Sequence, residues 1–496
     1  MKLPVLYFGL SESKNLGNYD VMSIPKENDN DFDLYGALRN FRPVVIITTG
    51  SSWNAYKSIG KLNHFWRKRW IHFEKVSEIT AKSVQHCYNT SIMDKESESN
   101  PYISIVTTAY HSGDRILRPF QSLIAQTYTN WEWVVFDDSK NNSTWSMLKS
   151  LKAKDYRIRI YRSDENCGFI GNVKRTVSML GIGKYLVELD HDDELVPDML
   201  RWIVNGFKMY PDAKFLWSDY CETREDTLTD RNYGDQFGRG YGSTYNVKYG
   251  NRIHTVIIQP WVNHRTIGHI VGVPNHVRVW DAEFYRELNG HNPGLPVADD
   301  YELLLRTFLK AKYIHVAELG YIQYMNTGDN NFTSHRNALI QDLTAEIYKV
   351  YKDRIDERLG QLNLAITGDI SHRGWTVPND DLLRCDRELI YKPTSPEITL
   401  IYIFDQQCQQ VVDMTLAQKY TKWELVIVAS NNPDLSKLME TMLPTIDHRV
   451  RWWCLNKQST DDELLQYAKR MLTFTRHYLH ILKPFSTPTD LVSPIK

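Results

Sequence analysis

The sequence predicts an α/β protein whose central part is a doubly wound, mostly parallel sheet, and two observations support this. The first is that, from Pro101 onward, short runs rich in apolar and β-branched residues alternate with segments of helical periodicity. These runs are 103–110, 131–139, 158–164 and 184–193. Strands that alternate with helices in this way are joined by crossover connections, so they are expected to lie parallel in one sheet.

The second observation is that polar side chains follow the carboxyl end of each predicted strand. They occupy 107–110, 137–139, 162–166 and 190–193. In open parallel sheets, ligands bind outside the carboxyl ends of the strands. The four strand ends therefore predict one binding site at one edge of the sheet.

Two further regions flank this central domain. At 496 residues the chain is long enough for about three domains of roughly 150 residues each. Residues 1–95 alternate short strands with helical stretches and predict a small N-terminal α/β domain, to which we assign no chemistry. We assign the central domain to 101–360, a polar linker to 361–396 and a C-terminal domain to 397–496.

The C-terminal domain repeats part of the central one. Residues 416–432 (LAQKYTKWELVIVASNN) align with 124–142 (IAQTYTNWEWVVFDDSKNN) at an offset near 292. Carboxylates of the first copy are replaced in the second, with Ala429 for Asp137, Ser430 for Asp138 and Lys483 for Asp190. Since the second copy keeps the residues that form the fold and lacks the carboxylates, we interpret it as a degenerate, inactive copy.

Composition and charge exclude several classes of function. The 59 Lys and Arg residues nearly balance the 60 Asp and Glu residues, so no bulk attraction to nucleic acid or to an anionic membrane is expected. No stretch approaches the about 20 apolar residues of a membrane span, and the N-terminus lacks the apolar run of a signal peptide. The six cysteines are scattered without a C-x-x-C pair, which predicts reduced thiols. We therefore expect a cytoplasmic protein.

The acidic run at 190–193 predicts a metal site. In an extended backbone, residues i and i+2 face the same side, so Asp190 and Asp192 could bind one hard cation, Mn²⁺ or Mg²⁺. Such a cation could bridge the oxygens of a diphosphate. The alternative is an acidic, solvated loop that caps the following helix. The position of the run directly after an apolar strand favours the metal site.

Four local patterns of the central domain occur in a fixed order. They are 103–110 with 123–144, then 166–168 (NCG), then 184–200 (KYLVELDHDDELVPDML), and finally 297–306 (VADDYELLLR). Residues 101 to about 345, about half of the chain, resemble the inverting family 2 glycosyltransferases of the GT-A fold through this ordered set. One departure is Asp299, where the family more often has Glu. The resemblance implies a metal-dependent enzyme that moves a sugar from a nucleotide-sugar, of UDP type, to a hydroxyl acceptor such as a glycan.

The same resemblance implies a donor site at the strand ends. Asp138, possibly joined by Asp137, would contact the uracil, because a carboxylate can accept the imide N–H. The strand end from Thr107 to Tyr110 would pack on the base and ribose. Further candidates on the donor side are Arg162, Asn166, Gly168, Lys174 and Asp190. The alternatives are that Asp137 starts a turn and that Arg162 and Lys174 are solvated surface cations.

Asp300 is the candidate general base. A sugar hydroxyl is a poor nucleophile, so a carboxylate within hydrogen-bond reach must take its proton as it attacks the anomeric carbon. The helical spacing of the leucines at 303–305 would present Asp299 and Asp300 at the start of a helix. The alternative is helix capping, for which Asp is favoured in its own right.

Four other residues are weaker candidates. Asp193 and His335 could complete the metal shell, since imidazole is an acceptable ligand for Mn²⁺. His269 and Trp280 lie where the family places residues on the acceptor side, and Trp280 could stack on a sugar face or belong to the core. A structural His is the alternative for His335.

Two other functional classes remain open from the sequence. The first is a catalytically inactive scaffold that binds a nucleotide or a carbohydrate, as the degenerate C-terminal copy suggests. The second is a nucleotidyltransferase, which also uses a metal and an α/β sheet. The pattern on the uracil side and the Asp299-Asp300 pair favour sugar transfer over both.

Overall fold

The computed structural model describes a defined set of residues, and every structural statement below concerns these residues. They are 2–8, 16–17, 19–24, 34–49, 62, 64–73, 75–92, 100–155, 157–162, 168–232, 243–258, 274–326, 336–362, 389–469 and 477–481. The chain divides into two compact units. Unit one contains the described residues of Met1–Val204, Val279–Thr307 and Asp329–Thr344, and unit two those of Asn205–Arg278, Phe308–Gly328 and Ala345–Lys496.

Strands and helices alternate along most of the described chain. The strands are β1 Leu3–Phe8, β2 Tyr19–Ile24, β3 Val45–Thr49, β4 Trp70–Phe73, β5 Ile103–Ala109, β6 Trp131–Asp137, β7 Ile158–Arg162, β8 Tyr185–Glu188, β9 Glu194–Leu195, β10 Phe215–Arg224, β11 Ser243–Tyr249, β12 Arg252–Ile258, β13 Val279–Asp281, β14 Tyr313–Met325, β15 Ile390–Tyr391, β16 Ile398–Ile403, β17 Trp423–Ser430, β18 Val450–Leu455 and β19 Tyr478–Ile481. The α-helices are α1 Leu34–Phe41, α2 His64–Arg67, α3 Ala81–Ile92, α4 Leu117–Ile124, α5 Ser143–Lys154, α6 Ile170–Leu180, α7 Met199–Met209, α8 Ala282–Glu287, α9 Asp299–Phe308, α10 Asn337–Gln361, α11 Cys408–Leu416, α12 Asp434–Thr441 and α13 Asp461–Tyr467. Two 3₁₀ turns lie at Val76–Glu78 and Gly113–Ile116.

The central sheet of unit one has the strand order β13-β8-β5-β6-β7. Strands β5 to β8 are parallel, and β13 is antiparallel to β8. Helices α4, α5 and α6 form the crossovers between them. Every residue of β6 is buried, which explains its continuous apolar pattern, since a parallel strand covered on both faces needs no polar alternation. The predicted doubly wound α/β fold is confirmed.

A buried carboxylate links the parallel strands near their amino ends, at the edge of the sheet opposite the predicted binding site. Glu132 on β6 accepts a hydrogen bond from the Ser104 hydroxyl (2.5 Å) and one from the Ile182 N–H (2.7 Å). Its other oxygen lies 2.7 Å from the Arg159 guanidinium. Because a buried charge is stable only when it is paired and hydrogen-bonded, Glu132 holds β5, β6 and β7 in register.

The N-terminal part of unit one is a separate parallel sheet of order β2-β1-β3-β4. The buried Arg67 of α2 reaches from this region to the C-terminal end of α6, where it donates to the carbonyl oxygens of Met179 (3.0 Å) and Gly181 (3.4 Å). A guanidinium is favourable there, because the last carbonyls of a helix have no partner within the helix. Burial, together with repulsion from Arg286, lowers the pKa of Arg67 to about 9.

The described strands of unit two follow the order β19-β16-β17-β18-β11-β12-β10-β14-β15. Within it, β16 to β19 are parallel and have the order and crossover pattern that β5 to β8 have in unit one. Side-chain packing is also shared: Arg157 lies over the ring of Trp131 at 3.6 Å, and Arg449 lies over the ring of Trp423 at 3.9 Å. The two segments therefore share topology and packing at the offset found in the sequence.

Membrane and redox features can be stated for the described residues only. Among these residues, no helix combines the length and apolar character needed to cross a bilayer. Cys87, Cys221, Cys408 and Cys454 form no disulfide bond, and the remaining two cysteines lie outside the described residues. The cytoplasmic location stays a prediction.

Candidate active site

Two hydrogen bonds join the segments that follow the carboxyl ends of β5 and β6. The Asp138 N–H donates to the Ala109 carbonyl at 2.9 Å. The His111 N–H donates to the Ser139 hydroxyl at 2.8 Å. These two bonds hold the segments that follow both strands side by side, as the parallel order of the sheet requires.

Asp137 and Asp138 differ sharply in environment. Asp137 is fully buried, accepts the Ser139 N–H at 3.1 Å and lies 3.9 Å from the Arg162 Nε atom. Burial raises the pKa of Asp137, and the Ser139 hydrogen bonds and Arg162 oppose that rise only in part. Asp138 is partly exposed. Of the two predicted uracil contacts, Asp138 is the one that is open to a ligand, and the carboxylate of Asp137 is enclosed.

Arg162 is a structural residue. Its guanidinium donates to the carbonyls of Ser139 (2.9 Å) and Asn141 (2.8 Å) and to the Asn142 side chain (2.6 Å). These bonds fasten the turn that follows β6. The side chain is 18% exposed, and the predicted contact of Arg162 with a ligand stays a prediction.

The Thr107 side chain is likewise hydrogen-bonded within the protein. It is buried, its hydroxyl donates to the Leu189 carbonyl at 2.7 Å, and it accepts the Trp133 indole N–H at 2.9 Å. The Thr107 hydroxyl is thus used within the fold, and the predicted packing of the 107–110 strand end on a nucleotide stays a prediction. Thr107 joins β5 to the chain directly before the acidic run. Tyr110, at the same strand end, is partly exposed and stays a candidate.

The acidic run forms a turn rather than an extended strand. The Asp193 N–H donates to the Asp190 carbonyl at 3.4 Å, which closes the turn. A turn brings residues i and i+3 together, and carboxylate oxygens of Asp190 and Asp193 lie within 4.8 Å of one another. The extended backbone predicted from the sequence is wrong. The structure therefore brings Asp193 next to Asp190, and the part that Asp192 plays in a metal site stays a prediction.

A residue that the sequence did not single out fastens this turn. The Arg118 guanidinium donates to the Asp192 carbonyl oxygen. The Asp192 carboxylate lies 3.7 Å from the His191 Nδ1 atom. Arg118 begins a crossover helix next to Pro119, where an exposed cation is common, so the sequence carries no signal for this contact.

Asp299 and Asp300 begin helix α9 and again differ in environment. Asp299 is buried, and its carboxylate lies 3.8 Å from the Lys174 Nζ atom and 3.7 Å from the His291 Nε2 atom. Burial raises the pKa of Asp299, and Lys174 and His291 offset only part of this rise. Asp300 is partly exposed and accepts the Tyr301 N–H at 2.7 Å. Asp300 is thus the carboxylate of the pair that is open to a ligand.

His291 connects helix α9 to strand β8, which precedes the acidic run. It is fully buried, its Nε2 atom lies 2.9 Å from Glu188 at the end of β8, and its Nδ1 atom lies 2.7 Å from the Tyr285 hydroxyl. Sequence reasoning missed this His. The available signal was Glu188, an acidic residue in an otherwise apolar buried strand, which requires a partner.

The close approach of α6 to the chain before α9 depends on a glycine. A Cβ atom on Gly171 would lie 2.1 Å from the Asn292 carbonyl oxygen. The Gly171 N–H donates to the Leu295 carbonyl at 3.3 Å. Gly171 therefore allows α6, which carries Lys174, to lie against the segment that leads to Asp299.

Of the remaining predicted residues, the structure describes Trp280 and Gly168. Trp280 is fully buried, and its indole N–H donates to the Thr307 hydroxyl at 3.0 Å, which favours the core position over sugar stacking. Gly168 has φ +82°, a conformation that favours glycine. Asn166, His269 and His335 lie outside the described residues.

The burial of Asp299 gives a prediction about stability and pH. Because the folded-state pKa of Asp299 is raised, its neutral form is favoured by folding, and that contribution is lost as the pH rises from the ordinary value of 3.8 through the folded-state pKa. We therefore expect Asp299→Asn to raise the midpoint of thermal unfolding at pH 7. The gain should shrink at the acidic end of the range in which the protein stays folded.

A matched control with the opposite sign is Asp155→Asn. Burial raises the pKa of Asp155, but the hydrogen bonds and charge of Arg157 outweigh it, so the pKa is lowered. Asp155→Asn should destabilise the protein at pH 7, with an effect that fades as the pH falls. Thermal unfolding of both variants from pH 4 to 8 checks this. Asp299→Asn melting progressively lower than the parent as the pH rises would contradict the prediction.

Taken together, the parallel sheet and the polar groups at its carboxyl edge define an α/β enzyme domain that binds its ligand beyond the strand ends. Residues 104–267 match the family described as "Glycosyl transferase family 2". This segment is about a third of the chain, and through it the chain is similar to the family 2 glycosyltransferases.

Individual relatives match over part of their length. Chondroitin synthase of Escherichia coli is 25% identical over 54% of this chain and 32% of its own. The Escherichia coli protein named UDP-Glc:alpha-D-GlcNAc-diphosphoundecaprenol beta-1,3-glucosyltransferase WfaP is 33% identical over 26% of this chain and 49% of its own. The chain thus spans about a third and about a half of these two relatives.

A solved structure, S. aureus TarS 1-349 in complex with UDP-GlcNAc, is 16% identical, with a TM-score of 0.39 over 52% of this chain and 71% of that one. The likeness is too distant to support a conclusion about the ligand.

Proposed function

We propose that this protein is a metal-dependent, inverting glycosyltransferase that moves a sugar from a UDP-sugar to a hydroxyl acceptor such as a glycan. The similarity of residues 104–267 to the family 2 glycosyltransferases supports sugar transfer from a nucleotide-sugar. The name of the WfaP relative includes UDP-Glc, which supports a UDP-sugar as donor. The observation that carries the proposal is the contrast at the start of α9, where Asp299 is enclosed and Asp300 is open to a ligand.

On the donor side, Asp138 is the proposed contact to uracil. Its backbone is held by the Ala109 carbonyl, while its side chain is partly exposed. A carboxylate in this position can accept the imide N–H of uracil. The buried Asp137 and Arg162 keep the turn rigid, so the Asp138 carboxylate is positioned before the nucleotide arrives.

The acidic turn has a donor set that suits a hard divalent cation. Asp190 and Asp193 bring two carboxylate oxygens within 4.8 Å of one another, and carboxylates are the ligands that Mn²⁺ and Mg²⁺ prefer. When bound, such a cation would neutralise the charge that develops on the departing UDP. The Arg118 bond to the Asp192 carbonyl keeps the turn closed.

Asp300 is the proposed general base. It takes the proton of the acceptor hydroxyl as that oxygen attacks the anomeric carbon of the donor sugar. One C–O bond forms on one face while the bond to the diphosphate breaks on the other, so configuration inverts. Asp299 does not share this role, because its enclosed carboxylate cannot reach an acceptor.

The C-terminal segment is proposed to be an inactive copy that packs or binds the acceptor. At the position that corresponds to Asp138, the Ser430 hydroxyl donates to the Lys457 carbonyl (3.1 Å) and accepts the Ser459 N–H (2.7 Å). Ser430 thus closes a turn, and it has no carboxylate that could contact a nucleobase. Lys483, which aligns with Asp190, lies outside the described residues.

A donor screen tests the proposal. The purified full chain with Mn²⁺ is expected to release UDP from at least one of UDP-glucose, UDP-galactose, the UDP-N-acetylhexosamines and UDP-glucuronate. UDP binding by calorimetry without transfer or hydrolysis of any donor would favour an inactive scaffold. Release of pyrophosphate from a nucleoside triphosphate would identify a nucleotidyltransferase.

A further inference from the structure

A second group of metal-ligating side chains lies in unit two, on elements that the proposed reaction does not use. Strand β10 continues into a tight hairpin, in which the Leu228 N–H donates to the Arg224 carbonyl and the Arg224 N–H donates to the Thr229 carbonyl, both at 2.9 Å. Leu228 has φ +54°, which allows the chain to reverse there. The hairpin places Asp230 opposite Thr223 in an antiparallel bridge.

Three different ligand atoms meet beside this hairpin. The Cys221 thiol on β10 and the His254 imidazole on β12 are both buried, and the Asp230 side chain is only 4% exposed. The Cys221 Sγ atom lies 3.5 Å from the His254 Nδ1 atom, and the Asp230 Oδ2 atom lies 3.0 Å from the same nitrogen. One ligand atom of each of the three residues falls within 4.8 Å of the others.

These separations suit tetrahedral zinc. Zn–S, Zn–N and Zn–O bonds of about 2.3, 2.0 and 2.0 Å at tetrahedral angles separate sulfur from nitrogen by about 3.5 Å and nitrogen from oxygen by about 3.3 Å. The observed 3.5 and 3.0 Å therefore need only a small adjustment to surround one ion. Three protein ligands leave a fourth position for water.

We propose that Cys221, Asp230 and His254 form a zinc site that fastens the 222–231 hairpin to strand β12. The mixture of sulfur, nitrogen and oxygen ligands selects Zn²⁺ over Mn²⁺ and Mg²⁺, which disfavour thiolate. The site is therefore chemically distinct from the acidic turn at 190–193. Binding releases the thiol proton of Cys221 to solvent, because the thiolate is the ligand.

Two groups next to Asp230 hydrogen-bond to its carboxylate and fix its orientation. The Thr223 hydroxyl donates to the Oδ1 atom at 2.7 Å, and the Thr255 N–H donates to the Oδ2 atom at 2.8 Å. These two bonds hold both carboxylate oxygens of Asp230 in one orientation. Such a fixed, charged ligand needs little reorganisation to bind a cation.

The rival explanation is a metal-free chain of hydrogen bonds. In it, His254 donates from Nδ1 to Asp230, and the Cys221 thiol is a small buried neighbour. In this chain the Cys221 thiol can donate to the Thr223 hydroxyl, whose oxygen lies 3.9 Å from Sγ, so the hydrogen-bonded arrangement is chemically complete and is the alternative to be tested. A shared ion satisfies all three atoms together.

Cobalt substitution separates the two explanations. The full chain, reduced and stripped of metal with a chelator, is titrated with Co²⁺ and then with Zn²⁺. We expect one equivalent of Co²⁺ to give a thiolate-to-cobalt charge-transfer band with the strong visible absorption of a tetrahedral ion, and Zn²⁺ to abolish both. The acidic turn has no sulfur ligand, so it does not contribute to this band.

Variants assign the band to this site. Cys221→Ser should lose it, and Asp230→Asn should weaken Co²⁺ binding at least about 10-fold. The matched control is Cys408→Ser, a buried thiol of α11 in the same unit, which should keep the band. Absence of the band in the parent protein, or its persistence in Cys221→Ser, would overturn the proposal.

A measurement on the parent protein avoids the possibility that a variant loses the band only because it misfolds. Alkylation of the parent protein, mapped by peptide mass spectrometry after partial denaturation, should show Cys221 protected by one equivalent of Zn²⁺ and Cys408 unaffected by it. Equal alkylation rates of Cys221 with and without Zn²⁺ would support the metal-free hydrogen-bonded arrangement and reject the zinc site.

Discussion

Asp300→Asn is expected to lower kcat for sugar transfer about 10³-fold, within the range that general-base catalysis contributes. Asn cannot take the proton of the acceptor hydroxyl, whereas it caps a helix about as well as Asp does. The substitution therefore removes the proposed chemistry and keeps the start of α9. Donor affinity should change little, because Asp300 is proposed to contact the acceptor.

The measurement is the pH dependence of kcat/KM for transfer, together with donor binding by calorimetry. In the parent enzyme the rate should fall on the acidic side as the base becomes protonated, and in Asp300→Asn that limb should disappear. Asp281→Asn is the matched control, because Asp281 caps α8 by accepting the Phe284 N–H at 3.0 Å and has no proposed chemical role. Full activity in Asp300→Asn would leave helix capping as the role of Asp300.

The sequence predicted those features that depend on periodicity and strand order. Continuous apolar runs such as β6 indicated strands buried on both faces, and the structure has them in a parallel sheet. The ends of those strands also had to meet at one edge, which placed Asp138, the 190–193 run and Asp300 in one unit. These conclusions need only the direction of each element and not the orientation of any side chain.

Features that depend on side-chain orientation were not predictable in the same way. Thr107, Arg162 and Trp280 are polar or aromatic residues at the predicted edge, yet each one turns inward and hydrogen-bonds to the fold. Local sequence does not determine whether the hydroxyl of a residue such as Thr107 meets a neighbouring carbonyl or solvent. His291 was missed for the same reason, since its partner Glu188 lies about 100 residues away in the chain.

The acidic run shows how local geometry changes an assignment. Period-two reasoning paired Asp190 with Asp192, but the bond from the Asp193 N–H to the Asp190 carbonyl makes a turn. In a turn the first and fourth residues approach each other, so Asp193 becomes the partner of Asp190. The sequence identified the run, whereas the pairing within it required the structure.

Removal of the divalent cation is expected to abolish sugar transfer. A substitution in the acidic turn should cause a similar loss of activity. Dialysis against EDTA should stop UDP release, and Mn²⁺ or Mg²⁺ should restore it. Asp190→Ala should lower kcat at least about 10³-fold, because charge on the departing UDP would no longer be neutralised. Undiminished release after EDTA, or in Asp190→Ala, would contradict a metal at this turn.

A comparison of Asp193→Asn with Asp192→Asn then decides which pair holds the cation. If Asp190 and Asp193 are the ligands, Asp193→Asn should raise the Mn²⁺ concentration for half-maximal activity at least about 10-fold, and Asp192→Asn should change it much less. Asn has nearly the same shape as Asp, so the buried site of Asp193 need not repack, and circular dichroism and thermal unfolding check that both variants fold. The opposite order of effects would restore the pairing that an extended strand predicts, and it would mean that the turn opens when the cation and the diphosphate bind.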